Sequence, residues 1–223
     1  MSYDIKVKSA EFKLGISELD HLLKWQMENP EAIGICMVGR SNVGKSSLIN
    51  KIFGAKTARV SNTPGRTREV NIFTFQLTFD NKDFQHPPLF LIDLPGYGHA
   101  EVSKQMSKNW ERLMGQFFLG LSPHLMVINI QDARHPDQKS DREFYKFMRD
   151  MHQEVILMFN KIDKLKTQKE RSALQKSMVG LSKNYKKIRK MFFVSAETGD
   201  QLPPAVHSIV QYLMERIEFQ QQS

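Results

Sequence analysis

The stretch IGICMVGRSNVGKSSLIN, residues 33–50, restricts the fold more than any other part of the chain. A continuously apolar run ends in a glycine, four residues and a second glycine follow, and then a lysine and two serines open a helical pattern. Glycines permit the tight turn such a loop needs, so the pattern dictates a strand that passes through a short loop straight into a helix. A strand that feeds a helix in this way belongs in a largely parallel sheet with helices on its faces.

The remaining sequence repeats that grammar. Further apolar runs are VNIFTFQLTF (70–79), PLFLIDL (88–94), LMVINIQ (125–131), VILMFN (155–160) and MFFVSA (191–196). All but the first are short and continuously apolar, as strands covered on both faces must be. In 70–79, Phe73, Phe75, Leu77 and Phe79 alternate with more polar neighbours, and Asp80–Asn81–Lys82 follows as a hairpin turn, so this run reads as an antiparallel edge strand. Helices are expected at 45–53, about 103–120, 138–151, 167–182 and 204–219, with Pro203 and Pro204 suited to the first turn of the last. The expected architecture is α/β and three-layered: a mostly parallel six-stranded sheet with one antiparallel edge strand and helices on both faces. Residues 31–223 form this domain. Residues 1–30 form an extension packed on it, in which EFKLGI reads as a strand and SELDHLLKWQ as a short helix.

GRSNVGKS matches G-x-x-x-x-G-K-[ST] in the structural setting that its mechanism requires. The backbone of Gly39, Arg40, Ser41, Asn42, Val43 and Gly44 is expected to wrap an anion with inward N–H groups. The helix N-terminus adds partial positive charge. Lys45 then bridges β- and γ-phosphate oxygens, and the Ser46 hydroxyl ligates Mg²⁺. A glycine-rich turn with a surface lysine is the bland alternative, and the strand–helix setting speaks against it.

Three more motifs follow in order, each at the carboxyl end of an expected strand, where open α/β sheets bind ligands. Asp93, Leu94, Pro95 and Gly96 form DLPG, in which the aspartate can hold a metal through water and the glycine N–H can meet a γ-phosphate. Asn160, Lys161, Ile162 and Asp163 form NKID. Asp163 can accept two hydrogen bonds from the ring N–H and exocyclic amine of guanine, whereas adenine would leave the carboxylate unpaired. In SAETG, the backbone of Ser195 and Ala196, reached from Val194, would meet the guanine carbonyl. GTP is therefore the expected nucleotide. The stretch ARVSNTPGRTREVN (58–71) reads as an irregular loop that should supply a second metal ligand, and Thr63 and Thr67 both qualify on chemistry.

With GRSNVGKSS, TPGRT, DLPGYGHAEV, DARHPDQKSD (132–141) and NKIDKL assembled, the chain resembles the EngB (YihA/YsxC) family of bacterial GTPases over nearly its whole length. The resemblance makes Thr67 the switch threonine and Mg²⁺ ligand, and extends the GTP contacts to Gly65, Arg66, Thr67, Arg68 and Glu69. Lys45, Thr67 and Asn42 become the catalytic candidates. The resemblance implies a switch that assists assembly of the large ribosomal subunit and is needed for division and septum formation; a lone cysteine suits a reducing cytoplasm, and a monomer is expected. His99 departs from the aromatic residue usual in GYGxA. Where other GTPases place a water-orienting glutamine after DxxG, this chain has Tyr97, so slow intrinsic hydrolysis is expected. Asn42 matches the asparagine of GTPases that use K⁺ in place of an arginine finger; a loop-shaping role is the alternative. A P-loop phosphotransferase acting on a small acceptor is the competing function, and an RNA-binding protein with a structural nucleotide is a third.

Charge bears on the partner. The chain carries 32 lysines and arginines against 24 acids, a formal +8, which suits an anionic partner such as RNA. KNYKKIRK (183–190) concentrates five basic residues around Tyr185, offering phosphate contacts and a stacking ring, or else a solvated helix end. The single cysteine, Cys36, allows no internal disulfide and reads as a buried structural thiol. No apolar run spans a bilayer, and residues 1–13 lack the apolar core of a secretory signal. Trp110, Leu113, Met114, Phe117 and Phe118 read as the buried stripe of a helix, and His135 as a loop-structuring residue.

Overall fold

The computed structural model describes residues 2–58, 69–97, 104–149, 151, 153–185 and 188–222. Five strands form a continuous parallel array in the order β10 (Ile188–Phe193), β9 (Val155–Asn160), β8 (Leu125–Asp132), β3 (Ile33–Gly39) and β7 (Leu89–Asp93). Beyond β7 lie β4 (Val70–Phe75), which runs against it, and β2 (Glu11–Ile16), which runs against β4. The sheet therefore has seven strands instead of six. One strand does run against the rest, but it is not at the edge: the backbone of residues 11–16 pairs along its outer side. This is the strand expected from EFKLGI.

The alternating run 70–79 also divides. Its last part, β5 (Leu77–Phe79), leaves the main sheet and pairs with β1 (Tyr3–Ile5) and β6 (Lys82–Asp83) in a small antiparallel sheet. The β5–β6 turn is the expected hairpin, and Asp80 and Asn81 both have the positive φ that a two-residue turn of this hand demands.

Alternation along β3 shows how the layers form. Ile33, Ile35 and Met37 face α2 (Lys45–Phe53) and α6 (Leu202–Gln222), joining Leu48, Ile52, Ile209 and Leu213. Cys36 and Val38 face the other layer, where α1 (Leu19–Glu28), α3 (Lys104–Leu119) and α4 (Lys139–Met148) bring Leu22, Leu113, Phe117 and Met148. α5 (Gln168–Asn184) packs Leu174 and Leu181 on Leu157 and Phe159. Thr167 caps α5, its hydroxyl accepting from the Glu170 N–H while Glu170 accepts from the Thr167 N–H. Cys36 is fully buried, and burial pushes its thiol far above the ordinary range, as suits a structural thiol. Leu113, Met114, Phe117 and Phe118 are the buried stripe of α3; the Trp110 side chain lies outside what is described.

Candidate functional site

β3 delivers Gly39 to the carboxyl edge of the sheet, and the chain turns through residues 40–44 into α2. Two glycines are obligatory for steric reasons. A Cβ on Gly39 would meet the Ile130 carbonyl oxygen at 2.4 Å; on Gly44, at φ +91°, it would meet Asn160 Nδ2 at 2.3 Å. That second contact shows what the loop is built against. Asn160 Nδ2 donates to the Val43 carbonyl at 2.9 Å, and Asn160 Oδ1 accepts from the Ala196 N–H at 2.9 Å. One buried amide therefore sutures three of the predicted motifs.

The rest of NKID completes the base side. Lys161, left-handed at φ 72°, directs Nζ onto the Asn42 carbonyl and onto Asp132, the latter at 3.1 Å. Asp132 also takes a two-pronged contact from Arg134. Burial pushes the Asp132 carboxyl up, but the hydrogen bonds from Arg134 and Lys161 outweigh it and hold the pKa at about 2. Asp163 accepts from Ser195 Oγ at 2.7 Å and pairs with Lys164 at 3.2 Å. Burial again opposes, yet the Ser195 and Lys164 contacts keep this carboxyl below its usual value, ionised and ready to accept. Ile162 N–H donates to the Val194 carbonyl, which holds SAETG beside NKID.

On the phosphate side, Lys45 Nζ pairs with Asp93 Oδ1, and Asp93 is nearly fully buried at the end of β7. Residues 94–97 run along the loop: Leu94 N–H donates to the Met37 carbonyl, Tyr97 N–H to the Gly39 carbonyl, and Ser41 N–H to the Tyr97 carbonyl. Gly96 lies so close that a Cβ would sit 2.9 Å from Ser41 Oγ. Ser46 occupies the first turn of α2, half-buried. Among the described residues no cluster of three or more His, Cys, Asp or Glu is fit to hold a metal. A hard cation here would draw on the Ser46 hydroxyl, phosphate oxygens and water, a donor set that suits Mg²⁺, with Asp93 reaching it through water. Thr63, Gly65, Arg66, Thr67, Arg68 and His99 lie outside the described residues. Glu69 is exposed, its carboxylate set over Gly15 of β2.

Sequence reasoning left Tyr97 only as the position lacking a glutamine. Its ring stacks on Phe144 with centroids 4.9 Å apart; its hydroxyl donates to Asp141 Oδ1 at 2.8 Å and accepts from Asn129 Nδ2 at 2.9 Å. Asp141, fully buried, also accepts from Arg40 Nε and the Gln138 N–H. Arg40 Nη2 donates to the His135 main-chain carbonyl, tying the phosphate loop to the DARHPD turn. Burial lifts the Asp141 pKa above the ordinary carboxylate value despite these donors. Asn129, Gln131 and Tyr185 extend the network inward, Tyr185 donating to Asp137.

The basic cluster departs from the expected role at two residues. Tyr185 is buried at 3% exposure with its hydroxyl engaged, so its ring is not available for stacking. Arg189 is held by Glu154 and Glu215 across the opposite end of the sheet, closing α6 onto β9 and β10. Lys186 and Lys187 lie outside the described residues. Sequence reasoning missed Asp132, whose place at the end of β8, level with Asn160, was the available signal.

Residues 34–161 match the family model described as 50S ribosome-binding GTPase. The chain is 36% identical over 199 residues to a probable GTP-binding protein EngB of Prosthecochloris aestuarii, covering 89% of this chain and 95% of that one. It is 35% identical over 185 residues to the protein of the same name in Clostridium perfringens, covering 82% and 86%. Among solved structures, a probable GTP-binding protein EngB superposes with TM-score 0.59 at 24% identity, covering 82% of this chain and 99% of that one. Era in complex with MgGDPNP and a segment of 16S ribosomal RNA superposes at TM-score 0.64 and 24% identity, covering 82% of this chain and 57% of Era. These two likenesses bear on fold.

Proposed function

Because this chain belongs to the EngB family of GTP-binding proteins, which hydrolyse GTP, we propose that it is a cytoplasmic switch whose GTP state docks on precursors of the large ribosomal subunit. Through that assembly role it supports division and septum formation. The observation that carries the nucleotide assignment is the Asn160 suture, which holds the phosphate loop and both base-reading motifs in one register. Ribosomal work is supported by the family description.

In this reading the N–H groups of residues 39–44 cradle the phosphates, and Lys45 turns from Asp93 to the β- and γ-phosphate oxygens. Asp163 accepts from the guanine ring N–H and amine, and the Lys161 stem covers a ring face. The Ser195 and Ala196 N–H groups are bonded to the Asp200 carbonyl and to Asn160 Oδ1, so Ala196 would meet the guanine carbonyl only by releasing Asn160. Ser46 and Thr67 would hold Mg²⁺, which would offset the negative charge of the phosphates. Water attacks the γ-phosphorus and the bond to the bridging oxygen breaks, leaving GDP and phosphate. Tyr97 cannot orient that water, because its hydroxyl is committed to Asp141. Hydrolysis is therefore slow until a partner or a cation completes the site. Asn42, exposed at the loop's tip, is the residue that would hold K⁺.

Sedimentation with ribosomal particles tests the switch: binding should be strong with a GTP analogue and weak with GDP or no nucleotide. Equal binding in all three states would leave no switch. Particle-stimulated turnover that is the same in Na⁺ and K⁺ would remove the cation from the scheme.

A further inference from the structure

The chain's positive charge is not spread evenly along its sequence. Residues 161–190 hold eleven lysines and arginines against two acids, a net +9, while the rest of the chain holds 21 against 22. Solubility would be served by charge distributed over the whole surface. Here the excess lies in the stretch of sequence that forms α5 and its two flanks; within it Lys161 and Arg189 are paired with Asp132, Glu154 and Glu215 from outside, whereas the lysines of α5 are exposed.

Within α5 the charge has an order. Lys169, Lys176 and Lys183 recur every seven residues, so they lie on one helix face within about 20° per repeat and rise about 10.5 Å between neighbours. All three are exposed, as are Ala173 and Gly180 between them. Leu174 and Leu181 mark the opposite, buried face. A Cβ built on Gly180 meets nothing, so at that point the helix backbone itself is open to approach.

The helix's own stability does not account for the pattern. Cations favour a helix C-terminus, which suits Lys183 but not Lys169 in the first turn or Lys164 and Lys166 just before it. The helix has one acid, Glu170, and its carboxylate is taken up by the cap at Thr167. A membrane-surface helix would need bulky apolar residues beside its lysines, whereas the large apolar side chain exposed on α5 is Val179 alone.

We propose that the exposed face of α5 is an RNA-docking surface, in which Lys169, Lys176 and Lys183 contact successive phosphates while Ala173 and Gly180 let the strand approach the helix backbone. The surface reads backbone charge and shape, without base specificity. It rests on the ribosomal reading only for the choice of RNA over another polyanion. It adjoins the base-reading loop through Lys164, beside Asp163.

The test is fluorescence anisotropy with a labelled RNA hairpin, alongside GTP titration and binding to phosphatidylserine vesicles. The K169E/K176E/K183E variant should lose at least about tenfold in hairpin affinity and flatten the slope of log Kd against log salt by about two to three, with GTP affinity within twofold. K13E/K24E/K82E, the same charge change on exposed lysines of β2, α1 and β6, should lose no more than about twofold. Equal losses in the two triples, or an unchanged α5 variant, overturn the surface. Loss of vesicle binding with intact hairpin binding overturns RNA as the occupant. If the glutamate triple unfolds, K169Q/K176Q/K183Q carries the same comparison. Wild-type protein that binds neither hairpin nor ribosomal particles would count against the proposed function too, whereas particle binding that survives in the variant counts against α5 alone.

Discussion

Asp163 and Asp141 are both carboxylates held close to the phosphate loop, and their surroundings give them opposite work. Asp163 has two side-chain partners, Ser195 and Lys164, and remains partly open. Asp141 is fully buried and receives four donor contacts, two from Arg40 and one each from Tyr97 and Gln138. A carboxylate offers about four lone-pair positions. Those of Asp141 are used up inside the fold; those of Asp163 are not. Recognition needs acceptor capacity left over, whereas architecture consumes it.

The largest expected effect follows from that spare capacity. Asp163→Asn should lower GTP affinity by about 10³-fold and transfer preference to xanthosine nucleotides, because the amide now presents a donor where guanine also has one. Competition between GTP and XTP for a fluorescent nucleotide measures it. Retained guanine preference would mean that Asp163 does not read the base, and the contrast with Asp141 would fail at its first term. The same site should tolerate Asp163→Ala with a stability change under about 1 kcal/mol.

Asp141→Ala should show the reverse profile. It strands the Arg40 guanidinium and the Tyr97 hydroxyl, and breaking a buried pair from one side costs about 3 kcal/mol or more. Urea unfolding should show the lower midpoint. A variant as stable as wild type would show that the four contacts are not a structural hub.

The sequence made one of these carboxylates legible and not the other, for a physical reason. Asp163 belongs to a motif of four consecutive residues at a strand end, and the same holds for GRSNVGKS, DLPG and SAETG. Asp141 acts with Tyr97, 44 residues away, and Arg40, 101 residues away. Partners so distant leave no periodicity and no local spacing to read. The sheet shows the same divide: EFKLGI reads as a strand, but nothing in its residues names β4 as its partner, so the sequence alone leaves the antiparallel strand at the edge. Tyr185 failed differently. Its basic neighbours read as surface, yet the aromatic ring itself sits in the apolar cluster under α5.

Asp132 lies between the two cases, buried but gripped by cations that border the pocket, and it sharpens the contrast through pH. Its folded pKa of about 2 lies below the ordinary carboxylate value of about 3.9. A depressed folded pKa contributes stability that is complete above about pH 4 and is lost as pH falls from about 4 to 2. Wild type should therefore lose about 2 kcal/mol across that window beyond what Asp132→Asn loses. Parallel stability profiles for the two proteins would mean that the Arg134 and Lys161 contacts do not form in solution.

The smallest effect probes how far the Asp141 network extends from the pocket. Tyr185 donates to Asp137 at 2.7 Å and takes a longer contact from Gln131, which joins it through Asn129 to the Tyr97 hydroxyl. Tyr185→Phe keeps the ring in its apolar cluster and removes only the hydroxyl, so it should cost about 1 kcal/mol in urea unfolding. GTP affinity should stay within twofold, because the network's donors are spent on one another and none reaches Asp163. A fall in GTP affinity beyond that, with stability little changed, would mean that the buried chain does reach the nucleotide, and that architecture and recognition are not separable here.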